Sequence, residues 1–108
     1  MNGRPLDLTI EDSLADAILE VWYPGTSGGL GVADILFGKY NPSAKLPITF
    51  PRNLGQVPIY YNQKNTGRPI SKENPTEDYK SNYIDSPNTP LYPFGHGLSY
   101  TTFKYSEI

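Results

Sequence analysis

The chain has 108 residues, nine basic and eleven acidic, and a formal charge of −2, so its charge gives no footprint for nucleic acid. It has no cysteine, which excludes disulfides, thiol nucleophiles and thiolate metal sites. Gly and Pro contribute 10 and 11 residues and hydrophobic residues only 37%, less apolar material than a globular domain usually carries, while an aromatic share of 13% with nine tyrosines excludes ordinary disorder. These proportions suggest loops and edges packed onto a larger body, hence a fragment of a larger domain.

No apolar run approaches the roughly 18–20 residues that cross a bilayer. Residues 1–20 carry Asp7, Glu11, Asp12, Asp16 and Glu20 beside Arg4, which is not the pattern of a signal peptide. Asn41-Pro42-Ser43 and Asn74-Pro75-Thr76 both place proline in the middle of the glycosylation triplet, so neither is an acceptor.

In chain order, Asn2-Gly3-Arg4-Pro5 reads as a turn. Residues 9–16 are polar and suit one helical turn. Ala17-Ile18-Leu19-Glu20-Val21-Trp22-Tyr23 is mostly apolar and stops at Pro24-Gly25, which predicts a buried strand. Residues 26–38 make the clearest helix: Ser27 suits the N-cap, Leu30, Ala33, Leu36 and Phe37 share a face, and Gly38 stands where a left-handed cap wants no Cβ. Strand, Gly-rich turn and helix in that order are the α/β pattern. Lys45-Leu46-Pro47-Ile48-Thr49-Phe50-Pro51 reads as a strand whose proline puts it at an edge. Residues 57–61 suit an extended segment. Residues 62–90 are polar, proline-punctuated and charged around 71–80, a length of loop that is usually functional or mobile. Alternation over residues 98–105 permits a last strand.

Six ordered blocks resemble glycoside hydrolase family 3, the β-glucosidase and β-xylosidase family. They are Asn2-Gly3-Arg4-Pro5-Leu6; residues 17–25; Asp34-Ile35-Leu36-Phe37-Gly38; residues 41–51, with Ala44 where Gly is more usual; Tyr60-Tyr61-Asn62 with Thr66-Gly67-Arg68-Pro69; and residues 92–103. The resemblance implies an α/β fold, specifically a fragment of an α/β sandwich with a long irregular C-terminal segment. On that basis residues 1–58 are the C-terminal part of the sandwich domain, 59–97 a long loop and linker, and 98–108 the first strand of a truncated fibronectin type III-like domain.

The resemblance also implies a parent that is a retaining exo-β-glycosidase acting on β-linked glucosides or xylosides through two carboxyl groups. The family carries its Asp nucleophile on an N-terminal barrel and its acid/base, commonly Glu, upstream of the Asn2-Gly3-Arg4-Pro5 turn. Both therefore fall outside this sequence. The chain is expected to supply no catalytic residue, to be inactive alone without the barrel and the rest of the sandwich, and to need no metal or cofactor. The parent is expected to be periplasmic or secreted, with its signal upstream.

Among the remaining candidates, Tyr60, Tyr61, Asn62, Lys64 and Arg68 form the group best suited to face a sugar. Amide, ammonium and guanidinium donors suit hydroxyls, and rings suit the apolar faces of pyranoses. The structural reading of the same loop, tyrosines packed on a neighbouring domain, is the favoured one, and a non-catalytic carbohydrate-binding or interaction module stays open as the alternative function. Glu20, an acid inside an apolar run, is expected to be paired or at a strand edge. Asp34 is expected to be a surface or structural hydrogen-bonding residue. Trp22 is expected in the core. Residues 25–31 follow a strand and open a helix, but Gly29-Leu30-Gly31-Val32-Ala33-Asp34 lacks the third glycine of a dinucleotide loop, so they read as a tight connection. His96, the lone histidine, reads as a turn residue whose ring packs locally.

Overall fold

A computed structural model describes residues 1–70 and 78–107. It contains helix α1 (Thr9–Leu14), helix α2 (Gly28–Leu36) and a 3-10 turn at Leu54–Gln56. The charged stretch at 71–77 and residue 108 of the expected last strand lie outside the described residues.

α1 forms where the sequence allowed one helical turn. Asp7 Oδ1 accepts bonds from the Thr9 amide at 3.0 Å and the Thr9 hydroxyl at 2.6 Å, and Glu11 and Asp12 sit in the first turn, where the helix dipole favours anions. The Thr9 hydroxyl and then its N–H hold the Asp7 carboxyl below its ordinary pKa. A helix this short is not stable alone. It is tied down by Thr9 Oγ1, whose single proton is shared between Asp7 and the Arg52 carbonyl 2.8 Å away, and by the Tyr92 hydroxyl, which donates to Asp12 Oδ1.

α2 begins after Ser27, as expected, but the Ser27 side chain makes no capping bond. Gly38 takes φ +74, and the amides of Gly38 and Lys39 bond the carbonyls of Ile35 and Asp34, which completes a Schellman cap. The face defined by Leu30, Leu36 and Phe37 is exposed rather than buried: Phe37 is 89% accessible. An amphipathic stripe specifies a face, and the partner for this one is not among the described residues.

The three expected strands form no ladder among the described residues. Residues 17–23 are exposed at Ala17 and Ile18 and half-buried at 19–22, and at Trp22 the backbone turns left-handed with φ +48, which a strand cannot contain. Residues 45–51 come nearest. Phe50 and Tyr92 form an antiparallel bridge, with Phe50 N–H bonding the Tyr92 carbonyl at 2.8 Å, and the same register pairs Leu46 N–H with the His96 carbonyl at 2.8 Å. Between these stations the ladder fails. The chain bends at 47–48, residues 93–96 form a turn with Gly95 at φ +81, and Phe94 N–H goes to Thr49 Oγ1. Residues 98–105 are instead held by side chains: the Tyr100 amide bonds Asn41 Oδ1 at 2.7 Å and its hydroxyl bonds the Ile35 carbonyl at 2.8 Å.

The core is small and sits where these segments cross. Phe50 is 1% accessible, with the Trp22 ring 5.8 Å away and the Tyr92 ring 6.5 Å away. Gln56, also 1% accessible, accepts from the Arg52 amide at 2.6 Å and donates to the Pro87 carbonyl at 2.7 Å, joining the 3-10 turn to residues 87–89. The radius of gyration, 17.4 Å, exceeds the roughly 13 Å of a compact chain this long.

The Tyr92 hydroxyl makes one pH dependence explicit. Its bond to Asp12, its partial burial and the Asp12 charge raise its pKa from 10.0 to about 12. An unfolded chain releases this proton near 10 while the folded chain retains it, so the native state binds more protons between those values. Stability from this contact is full below pH 10 and is lost as pH rises through about 12. Alkaline melts of the chain and of Tyr92→Phe are expected to differ in slope across that window, and parallel curves would contradict it.

Candidate functional site

Tyr60, Tyr61, Asn62, Lys64 and Arg68 all lie on the exposed 60–68 segment, which opens with a turn closed by the Gln63 amide on the Tyr60 carbonyl at 3.2 Å. The segment is held at both ends. Near its start, Tyr61 packs its ring 5.2 Å from Phe94, a residue sequence reasoning did not select because the contact is long-range. At its far end, Thr66 Oγ1 meets Ser81 Oγ at 2.7 Å and the Ser81 amide bonds the Arg68 carbonyl at 2.9 Å. The side chains of Tyr60, Asn62, Lys64 and Arg68 have no hydrogen-bond or ionic partner among the described residues, so their donors face outward.

Glu20, Asp34, Asp7 and Asp12 have structural partners. Glu20 accepts from Asn2 Nδ2 at 2.9 Å and from the Trp22 amide at 2.8 Å. Asp34 pairs with Lys39 Nζ at 3.2 Å beside the α2 C-terminus. Asp7 and Asp12 serve Thr9 and Tyr92, as above.

The remaining candidates take their structural readings. Trp22 packs on Phe50 in the core. His96 stacks on Tyr92 with ring centroids 5.1 Å apart, and its amide closes the turn on the Pro93 carbonyl at 3.0 Å. The Gly-rich connection is tight: a Cβ on Gly28 would lie 2.6 Å from Pro24 side-chain atoms, and Gly25 takes φ +71. Gly28→Val is therefore expected to displace the start of α2 and lower the melting temperature clearly, whereas Gly29→Ala, with open space around it, should be tolerated. Equal melts for the two variants would contradict this packing. No group of three or more His, Cys, Asp or Glu side chains able to hold a metal ion occurs among the described residues.

The described residues thus show a helix capped at Gly38, a small core built on Phe50 and an exposed 60–68 segment anchored at both ends. Residues 1–100 match the glycosyl hydrolase family 3 C-terminal domain, and the chain belongs to that family. It is 62% identical over its full length to the periplasmic beta-glucosidase of Salmonella typhimurium, of which it spans 14%. It is 44% identical over 105 residues to a beta-xylosidase of Formosa agariphila, spanning 13% of that protein. It also superposes on the crystal structure of beta-glucosidase from Listeria innocua with a TM-score of 0.90 at 51% identity, covering 95% of this chain and 14% of that one. The chain thus spans about one-seventh of the length of such relatives.

Proposed function

We propose that this chain is a structural portion of a retaining exo-β-glycosidase that removes terminal glucose or xylose from β-linked substrates. In this reading residues 1–58 close the α/β sandwich domain, 59–97 form a loop and linker, and 98–108 open a fibronectin type III-like domain. The observation that carries it is the family match over residues 1–100 together with 62% identity to a beta-glucosidase. The low compactness and the exposed α2 face support it, because both are natural for a segment that folds against a larger body. The name of the Salmonella relative supports a periplasmic or secreted location for the parent.

The catalytic nucleophile and acid/base belong to the barrel and to the preceding part of the sandwich. The part of this chain nearest the substrate is then the 60–68 segment. Tyr60, Tyr61, Asn62, Lys64 and Arg68 border the aglycone side and influence substrate choice without touching the bond that breaks. Their outward donors and exposed rings support that role, and equally support the alternative of a non-catalytic carbohydrate-binding module.

Incubation of the isolated chain with aryl β-glucoside and aryl β-xyloside is expected to give no turnover, while the complete polypeptide hydrolyses at least one of them. Steady release above a matched blank by the chain alone would refute the assignment. Titrating the isolated chain with glucose, xylose and cello-oligosaccharides while following the fluorescence of Trp22 separates the alternatives: a saturable change favours the binding module, and an unchanged signal favours the structural role.

A further inference from the structure

Trp22 has a backbone that bulky residues rarely adopt, at φ +48, and no glycine is available there to relieve it. Such a conformation persists only where neighbouring groups enforce it. The enforcing group is visible. Glu20, two residues back, turns one carboxylate oxygen onto the Trp22 amide at 2.8 Å and the other onto Asn2 Nδ2 at 2.9 Å. The first bond closes a local ring that bends the chain, and the second ties the bend to a segment far away in sequence. Hydrogen bonds to an ionised acceptor are roughly twice as strong as neutral ones.

The bend decides where two rings go. Trp22 lies against Phe50, and Tyr23 crosses Gly3 so closely that a Cβ there would be 2.5 Å from the ring. Arg4 lines two hollows, one of about 380 Å³ that it shares with Tyr23 and one of about 390 Å³ that it shares with Trp22. Were Trp22 to relax to negative φ, both rings would leave these positions together.

We propose that Glu20 is a positioning residue: its carboxylate holds Trp22 in the left-handed backbone and so fixes the aromatic walls of the two hollows that Arg4 lines. This stands apart from the glycosidase assignment, because it is read on Trp22 itself. Asn2 adds a testable detail. Its Oδ1 is buried without a hydrogen-bond partner, so a rotated Asn2 amide can accept from a glutamine at position 20 while the glutamine oxygen keeps the Trp22 amide.

The test uses the full chain in the cold, where its single tryptophan reports on the bend. Glu20→Ala is expected to shift Trp22 emission to longer wavelength and to abolish its near-ultraviolet dichroism while the helical far-ultraviolet signal persists. Glu20→Gln is expected to retain both Trp22 signals. Should Glu20→Ala fail to fold, Trp22→Gly decides: glycine takes positive φ unaided, so adding Glu20→Ala to that background should leave its melt nearly unchanged. Trp22 signals unchanged in Glu20→Ala, signals lost as fully in Glu20→Gln as in Glu20→Ala, or an undiminished effect of Glu20→Ala in the glycine background would each overturn the proposal.

Discussion

Phe50→Ala is expected to abolish cooperative folding of the isolated chain. Phe50 is the single large hydrophobic residue fully buried among those described, and the rings of Trp22 and Tyr92 converge on it. Truncating a buried phenylalanine costs about 3–5 kcal/mol through lost transfer energy and the cavity left behind. Small domains often have little more than about 5 kcal/mol in total. The bridge between Phe50 and Tyr92 would loosen with the ring, releasing both the 45–51 segment and the hydroxyl that holds α1. Thermal unfolding followed by Trp22 fluorescence should show no sigmoidal transition in the variant. A transition at the wild-type midpoint would place the core elsewhere.

The second large effect is expected at Gln56. A leucine of similar size would fill the space but leave the Arg52 amide and the Pro87 carbonyl without their bonds. Each polar group stranded in this way costs about 1–3 kcal/mol, roughly twice what the bond contributes when formed. Gln56→Glu is expected to be worse still at neutral pH. It keeps an acceptor for Arg52 but turns a charged oxygen toward the Pro87 carbonyl, and acidification, by restoring an O–H donor, should recover part of the loss. Urea titrations of both variants at neutral and acid pH check this order. A leucine variant as stable as wild type, or a glutamate variant indifferent to pH, would contradict the buried bonding.

The sequence made some of this legible and left the rest hidden for identifiable reasons. α2 and its cap at Gly38 are local facts: a helical stripe, then a residue free to take positive φ. The Phe50 core was not visible, since the 45–51 run read only as an edge strand and its partner Tyr92 lies far along the chain. A strand is a property of two segments, so Val, Ile and aromatic residues at 17–23 signalled an apolar environment without specifying a ladder. The left-handed Trp22 could not be read at all, because the Glu20 carboxylate that bonds its amide is itself held by Asn2, far away in sequence. The stripe of Leu30, Leu36 and Phe37 was legible as one face, but its exposure came only from the structure. The 60–68 segment was identified by chemistry, and its anchorage through Tyr61 to Phe94 came only from the structure.

The role of the eleven acids decides the functional assignment most directly. In the complete polypeptide, each would be changed singly to its amide and kcat measured on an aryl β-glucoside. No variant that still folds is expected to lose more than about tenfold, since general acid/base groups alone contribute roughly 10²–10⁴-fold and a nucleophile contributes further. One folded amide variant with a thousandfold loss in kcat would show that this segment carries a catalytic carboxylate after all.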